Sequence, residues 1–355
     1  MSSTHVGVEI TEESVRAVEV TAGRSPRVIA FGEVALPPDA AKDSEIVDEG
    51  AVAVALRQLW STARFKSRKV TLGIASRRVL VREYSTTAMP PAMLRKALPF
   101  QVQDLLPVPV DQAVLDYYPT AQHGDQLHGL LVAAVAETIE QLISAFTRTK
   151  IRVQDVDLTA FAIARAARVA APQGAVAVIH VGDHTTQVVI MRDGIPEFVR
   201  LLPADLATAA VRRRSVVLAI TDDGTPISTV KDIANTVDPA RMHGDEDLSG
   251  SAGIVPRGAL RGDVGSRPVS DLLARLHSTL SFYSNRPGAA VIQQILLTGA
   301  GGAVDGVHRG LQEKSQAPVR VISLPDVAAV RDAHPSGELA MNLVSTVGLA
   351  LGRDS

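Results

Sequence analysis

The sequence contains no cysteine, which excludes a disulfide framework and any thiolate-ligated metal centre. Aromatic residues make up only 3% of the 355 residues, and none interleaves with the basic run Arg212-Arg213-Arg214. That run reads as a solvated helix end, and no stacking platform for nucleic acid is expected. A formal net charge of −2 supplies no general attraction to nucleic acid or to anionic lipid. No apolar run is long enough to cross a bilayer: the nearest, GLLVAAVAETIEQLISAF, is broken by Glu137 and Glu140. The opening MSSTHVGVEI enters a strand pattern without the charged, apolar and small-residue regions of a secretory signal, so the expected compartment is the cytosol. His123, His128 and His243 lack metal-ligand spacing, and no metal site is expected.

What is present is a large apolar fraction, 46%, enough for two domains with real cores. Residues 176 to 194, VAVIHVGDHTTQVVIMRDG, read as two strands folded over a small polar turn. A similar stretch, THVGVEITEESVRAVEVTAG, opens the chain; with Ile10 laid on Val181, Ser14 falls on Thr185 and Val18 on Val189, an offset of 171 residues. Two related halves are therefore expected, with their turns facing a shared cleft. Backbone N–H groups and hydroxyls at such turns suit a phosphate chain.

Strand patterns alternate with helices throughout the chain, which indicates an α/β protein. In the first half, strands surround the helix VDEGAVAVALRQLWSTARF. After Met89-Pro90-Pro91 come the helix ALPFQVQDLL, a Pro-rich turn, the strands AVLDYYPT and LHGLLVAAVA, another helix and the strand VQDVDL, read together as a small inserted α/β unit. The helix FAIARAARVAA leads to the second hairpin. Residues 203–268 are polar and Gly-rich and read as a partly mobile insertion. Order returns with the helix SDLLARLHSTLSFYSNR, the strand IQQILLTG, the turn AGGAVDG, the strand VRVISL and a last helix, ELAMNLVSTVGLAL.

LPFQVQDLLPVPVDQAVLDYY and SFYSNRPGAAVIQQILLTGAGG, together with the two hairpins, resemble the PilM family, actin-like cytoplasmic proteins of type IV pilus assembly. The resemblance implies an actin-like, ribonuclease-H-like fold of two halves with an inserted subdomain in each. On this chain that becomes 1–85 with 156–172 for the first half, 86–155 for its insertion, 173–202 with 269–355 for the second half, and 203–268 for the second insertion. The resemblance also implies ATP or ADP, with Mg²⁺, between the halves. The implied partner is a PilN-like membrane protein, held by its N-terminal cytoplasmic tail. That would keep the chain at the inner face of the cytoplasmic membrane without direct insertion, beside other pilus machinery.

The nucleotide-binding positions implied are Glu9, Thr11, Ser14 and Arg16 in the first hairpin, His180, Gly182, Asp183, Thr185 and Thr186 in the second, and Gly299, Gly301 and Gly302 in the turn after ILLT. Several depart from the family pattern. Glu9 replaces an aspartate, Thr11 a glycine, Arg16 a lysine, and His180 an aspartate; Thr159 stands where an acid precedes the Ala-Phe pair. Mg²⁺ is held by carboxylates and hydrolysis needs a group that orients water, so this set is incomplete and no catalytic residue is expected. The glycines should leave room for base and ribose. Partner-binding candidates are Leu98, Phe100, Leu105, Leu106 and Val108, beside a Pro-rich exit, with Gln101 and Gln103 where the family carries glutamates. The leading expectation is an adaptor. The alternatives are an active actin-like ATPase, a sugar-kinase-type enzyme lacking its usual aspartate, and an FtsA-like filament protein, against which the ending LALGRDS, without a membrane-binding helix, counts.

Overall fold

Both hairpins form where the repeat places them. In the computed structural model, which describes residues 3–23, 25–43, 45–171, 173–218, 266–331 and 334–352, β1 (Thr4–Ile10) pairs antiparallel with β2 (Ser14–Thr21). β2 pairs with β3 (Arg27–Ala35), and beyond them lies a two-residue ribbon of β4 (Ala41–Lys42) and β5 (Glu45–Ile46). On its other edge β1 takes β6 (Lys69–Ile74) in parallel; a three-stranded sheet follows in the chain, made of β7 (Leu80–Thr87), β8 (Ala113–His123) and β9 (Gln126–Val135). β10 (Arg152–Leu158) returns to pair parallel with β6. The second half repeats the plan with β11 (Ala175–Val181), β12 (Thr185–Arg192), β13 (Ile195–Pro203), β14 (Gln294–Thr298) and β15 (Val319–Val321). The sheet orders are β10-β6-β1-β2-β3-β16, where β16 is Ala329–Val330, and β13-β12-β11-β14-β15. Three antiparallel strands followed by two parallel ones, twice over, is the duplication read from the sequence.

The central strands are buried on both faces, which is why they read as near-continuous apolar runs. Helix α1 (Glu49–Ala63) covers β2 and β3, its start capped by Asp48, whose carboxylate accepts from the Ala51 N–H at 3.0 Å. The other face is closed by the helix Gly337–Ala350, buried from Ala340 to Ala350, which crosses α4 (Thr159–Ala170) and lies on β1 and β2. Small residues permit these close crossings. A Cβ on Gly348 would lie 1.9 Å from the Ala162 carbonyl oxygen, and one on Gly7 would lie 2.3 Å from that of Thr346.

The inserted sheet is ordered β7-β9-β8. Alternate residues of β9 face opposite ways: Leu131 packs with Leu94, Leu98 and Val102 of α2 (Pro91–Val102), while Leu130, Val132 and Ala134 join the main core. Helix α3 (Ala136–Thr147) packs on α1. Two boundaries move. β7 belongs to the inserted sheet, so that sheet begins at Leu80 and not at 86; β10 belongs to the six-stranded sheet from Arg152, although 152–155 were assigned to the insertion. The Pro90-Pro91 break, read as a boundary, starts a helix after β7 has already entered the inserted sheet. The expected mobile insertion at 203–268 lies for the most part outside the described residues; its first part includes α5 (Ala209–Leu218).

Candidate functional site: the facing turns

The two hairpin turns close in the same way: the Thr11 N–H donates to the Ser14 carbonyl at 2.9 Å, and the Gly182 N–H to the Thr185 carbonyl at 3.0 Å. They face each other across a cavity of about 30 Å³ lined by Glu9, Thr11, Glu12, Arg16, His180, Gly182, Asp183, His184 and Thr185, among others. That volume holds little more than a water or two, whereas sites for nucleotide-sized ligands run to roughly 300–1,000 Å³.

The residues brought together are Glu9, Thr11, Arg16, His180, Gly182, Asp183 and Thr185, but most are engaged with the protein itself. Glu9 is buried and turned onto the last helix, accepting from Ser345 Oγ at 2.7 Å and Thr346 Oγ1 at 3.3 Å. Ser14 Oγ is directed away, donating to Glu33 at 2.8 Å. Asp183 Oδ1 accepts from Thr208 Oγ1 at 2.5 Å, just ahead of α5. Arg16 is 2% exposed; its nearest carboxylates are Glu33 at 3.8 Å and Asp183 at 3.9 Å, and its Nε and Nη1 have no hydrogen-bond partner among the described residues. His180 faces the same cavity. Its burial, helped by the Arg16 charge and opposed by Asp183, lowers its pKa to about 3, so it is a neutral imidazole at physiological pH. Thr186 and Thr159 are fully buried, their hydroxyls unpartnered among the described residues, and neither lines the cavity.

The glycine turn is closely packed. Gly299 has φ +84°, and a Cβ there would lie 2.3 Å from the Val181 carbonyl oxygen. A Cβ on Gly301 would meet Val181 Cγ1 at 2.4 Å and Leu206 Cδ1 at 2.8 Å, and one on Gly302 would meet Met341 Cε at 2.9 Å. These glycines let strand, turn and last helix approach closely, and the turn is held there by the Ala300 N–H donating to Asn342 Oδ1 at 2.7 Å. In this conformation the cavity between the turns, about 30 Å³, is too small for a nucleoside triphosphate.

What the sequence did not signal is the rim. His184 Nε2 bonds Glu13 at 2.8 Å and Nδ1 bonds Asp205 at 2.9 Å; Arg214 Nη1 lies 3.2 Å from both Glu12 and Glu13, and Nη2 lies 3.4 Å from Asp39. Arg214 is thus a half-buried bridge to the first half; Arg212 and Arg213 are exposed but lie within α5 and not at a helix end, and Arg212 is 3.8 Å from Glu338. Burial alone would lower the His184 pKa, but the bonds to Glu13 and Asp205 and the nearby carboxylate charges outweigh it and raise it to about 9. Glu13 shifts the other way: burial would raise its pKa, and the bonds to His184 and Arg214 bring it below the usual range. Glu12, Glu13 and His184 offer three potential ligand atoms within 4.8 Å of one another. With both ring nitrogens of His184 bonded and Arg214 between the two glutamates, the group is an ion-pair cluster.

The partner-binding candidates divide. Leu98 is 2% exposed, inside the insertion's core, and so cannot touch a partner. Phe100, on the opposite side of α2, is 79% exposed; Leu105 is 37% exposed, while Leu106 and Val108 are half-buried. Met93, seven residues before Phe100 and on the same helix face, is 58% exposed.

A family profile described as type IV pilus assembly protein PilM matches residues 7–201, more than half of the chain. Among solved structures, a PilM-PilN type IV pilus biogenesis complex aligns over 98% of this chain and 97% of that chain, at 21% identity and a TM-score of 0.75. The ethanolamine utilization protein EutJ from Carboxydothermus hydrogenoformans aligns over 99% and 90% of the two chains, at 13% identity and a TM-score of 0.48. A Bacteroides thetaiotaomicron protein with an actin-like ATPase fold aligns over 92% and 93%, at 6% identity and a TM-score of 0.45. With its paired sheets and facing hairpins, the chain is a member of the PilM family of type IV pilus assembly proteins and has the actin-like fold.

Proposed function

We propose that this PilM-family chain is an adaptor whose insertion captures the N-terminal cytoplasmic tail of a PilN-like membrane protein, and that it stays at the inner face of the cytoplasmic membrane through that partner. The observation that carries the reading is the apolar surface of the insertion, where Phe100 stands 79% exposed on a helix firmly anchored by Leu94, Leu98 and Val102. Leu105, Leu106 and Val108 continue that surface into a segment stiffened by Pro107 and Pro109. A preformed apolar ledge lowers the ordering cost of capturing a short flexible peptide. The similarity to a PilM held in a PilM-PilN complex supports the choice of partner. No helix among the described residues is long and apolar enough to cross a membrane, consistent with attachment through a partner.

The same reading makes the cleft a poor ATPase. Thr159 and His180 stand where carboxylates would hold Mg²⁺ or orient water, and His180 is neutral. ATP or ADP would enter only if the halves separate. Titrating a fluorescent peptide copy of the partner's tail tests the adaptor role: wild type should bind it, and Phe100→Asp should lose at least about tenfold in affinity, a change of about 1.4 kcal/mol. Equal binding by a folded Phe100→Asp protein would place the tail elsewhere.

A further inference from the structure

Glu13 and His184 occupy the same position in the two repeats, 171 residues apart, and bond each other across the cleft at 2.8 Å. Arg214 adds a second bridge from the second half to Glu12 and Glu13, both at 3.2 Å. Behind this rim lie only about 30 Å³ of space, lined by Glu9, Glu12, Arg16 and Asp183 among others. In an actin-like cleft the facing turns would share an anion between them; here the carboxylates of the first turn reach over to His184 of the second turn and to Arg214 of α5.

We propose that Glu12 and Glu13 form, with His184 and Arg214, a built-in clasp that stands in for nucleotide phosphate: it holds the two halves closed without a ligand and keeps nucleotides out while it is made. Three features carry this. The clasp joins residues of both halves and is largely shielded, with Glu13 4%, Glu12 18%, Arg214 19% and His184 21% exposed at the side chain. Such partly buried, hydrogen-bonded charge pairs hold more firmly than exposed ones. Phosphate entering the cavity would meet Glu12 of the clasp, and the Arg16 guanidinium that also lines it already has Glu33 at 3.8 Å and Asp183 at 3.9 Å beside it. The glycine turn packs closely against Val181 and Leu206 and is tied to the last helix by the Ala300 N–H donating to Asn342 Oδ1 at 2.7 Å, which fixes the second half beside the clasp. The inference deepens the adaptor reading, since it makes the ligand-free protein the closed form that meets the partner. Its test involves no partner, so the two stand or fall separately.

Because the chain has no native cysteine, a spin-label pair can be introduced cleanly by Ser61→Cys on α1 and Glu313→Cys on the helix Val307–Lys314, both exposed. The distance distribution between the labels, with melting curves, is recorded with and without millimolar Mg-ATP. The wild-type clasp should give one narrow distribution that Mg-ATP leaves unchanged. The double variant Glu12→Gln with Glu13→Gln should broaden it, and should bind ATP about tenfold more tightly than wild type, as expected from removing two like charges beside the phosphate position. His184→Gln cuts the same clasp from the other half and should also broaden the distribution, which keeps the test open if the double variant folds poorly. A wild-type distribution that shifts with Mg-ATP as much as the variants' would overturn the proposal, as would variants that fold and keep the narrow distribution.

Discussion

At the scale of single residues, His184 makes the most direct prediction. Its folded pKa of about 9 lies above the ordinary value of 6.5, so its contribution to stability is fully present below about pH 6.5 and is lost as pH rises through about 9. The groups that face it are Glu12 and Glu13 from the first turn, Asp205 beyond β13 and, through Glu13, Arg214 of α5. Glu13, with a lowered pKa, acts in the opposite sense: its contribution is present above its unfolded value near pH 4.5 and lost as pH falls through the folded one. The clasp should therefore be firmest between about pH 5 and 6.5. Comparing wild type with His184→Gln by thermal melting, we expect a difference of about 1–2 kcal/mol at pH 6, allowing for solvent screening at the rim, that shrinks to nothing above about pH 9. A gap that stays constant across that range would mean the histidine acts through packing and not through charge. None of this was legible in the sequence, because the bonded pairs lie 171 and 201 residues apart. A trace of it was: under the repeat, Glu13 falls on His184, opposite charges at equivalent turn positions.

At the scale of elements, the strands were largely legible. β1 with β2 and β11 with β12 follow the repeat closely, because strands buried on both faces write long apolar runs into the chain. The helix before the Pro-rich turn was less so. It was placed from Ala97, whereas it starts at Pro91, and with the true start the spacing Leu94, Leu98, Val102 defines a buried stripe that puts Phe100 on the far side. A glycine turn in a sequence does not distinguish close packing from room for a ligand, because the sequence does not show which neighbours approach it. Two substitutions probe these elements. Gly348→Ala forces a Cβ to within 1.9 Å of the Ala162 carbonyl oxygen and should cost about 1–3 kcal/mol or more in urea unfolding, since the helix crossing must open. Phe100→Asp, on an exposed position, should change stability by no more than about 0.5 kcal/mol while weakening tail binding. If Gly348→Ala is neutral, the two helices do not pack as closely as described.

At the scale of the whole molecule, the two halves meet at a nearly closed cleft, and the inserted unit carries its own apolar ledge around Phe100. With the clasp made and only about 30 Å³ between the turns, the wild-type melting curve should stay unmoved by millimolar Mg-ATP. A ligand present at a hundredfold its dissociation constant would instead add about 2.7 kcal/mol. We propose that this family member holds its partner through the insertion and does so without nucleotide. The most direct measurement is a binding isotherm of the PilN-like tail peptide to nucleotide-free protein, repeated with Mg-ATP and with Phe100→Asp. We predict saturable binding, the same dissociation constant with and without Mg-ATP, and an affinity reduced by Phe100→Asp. Binding that appears only with Mg-ATP, or that a folded Phe100→Asp protein retains in full, would contradict it.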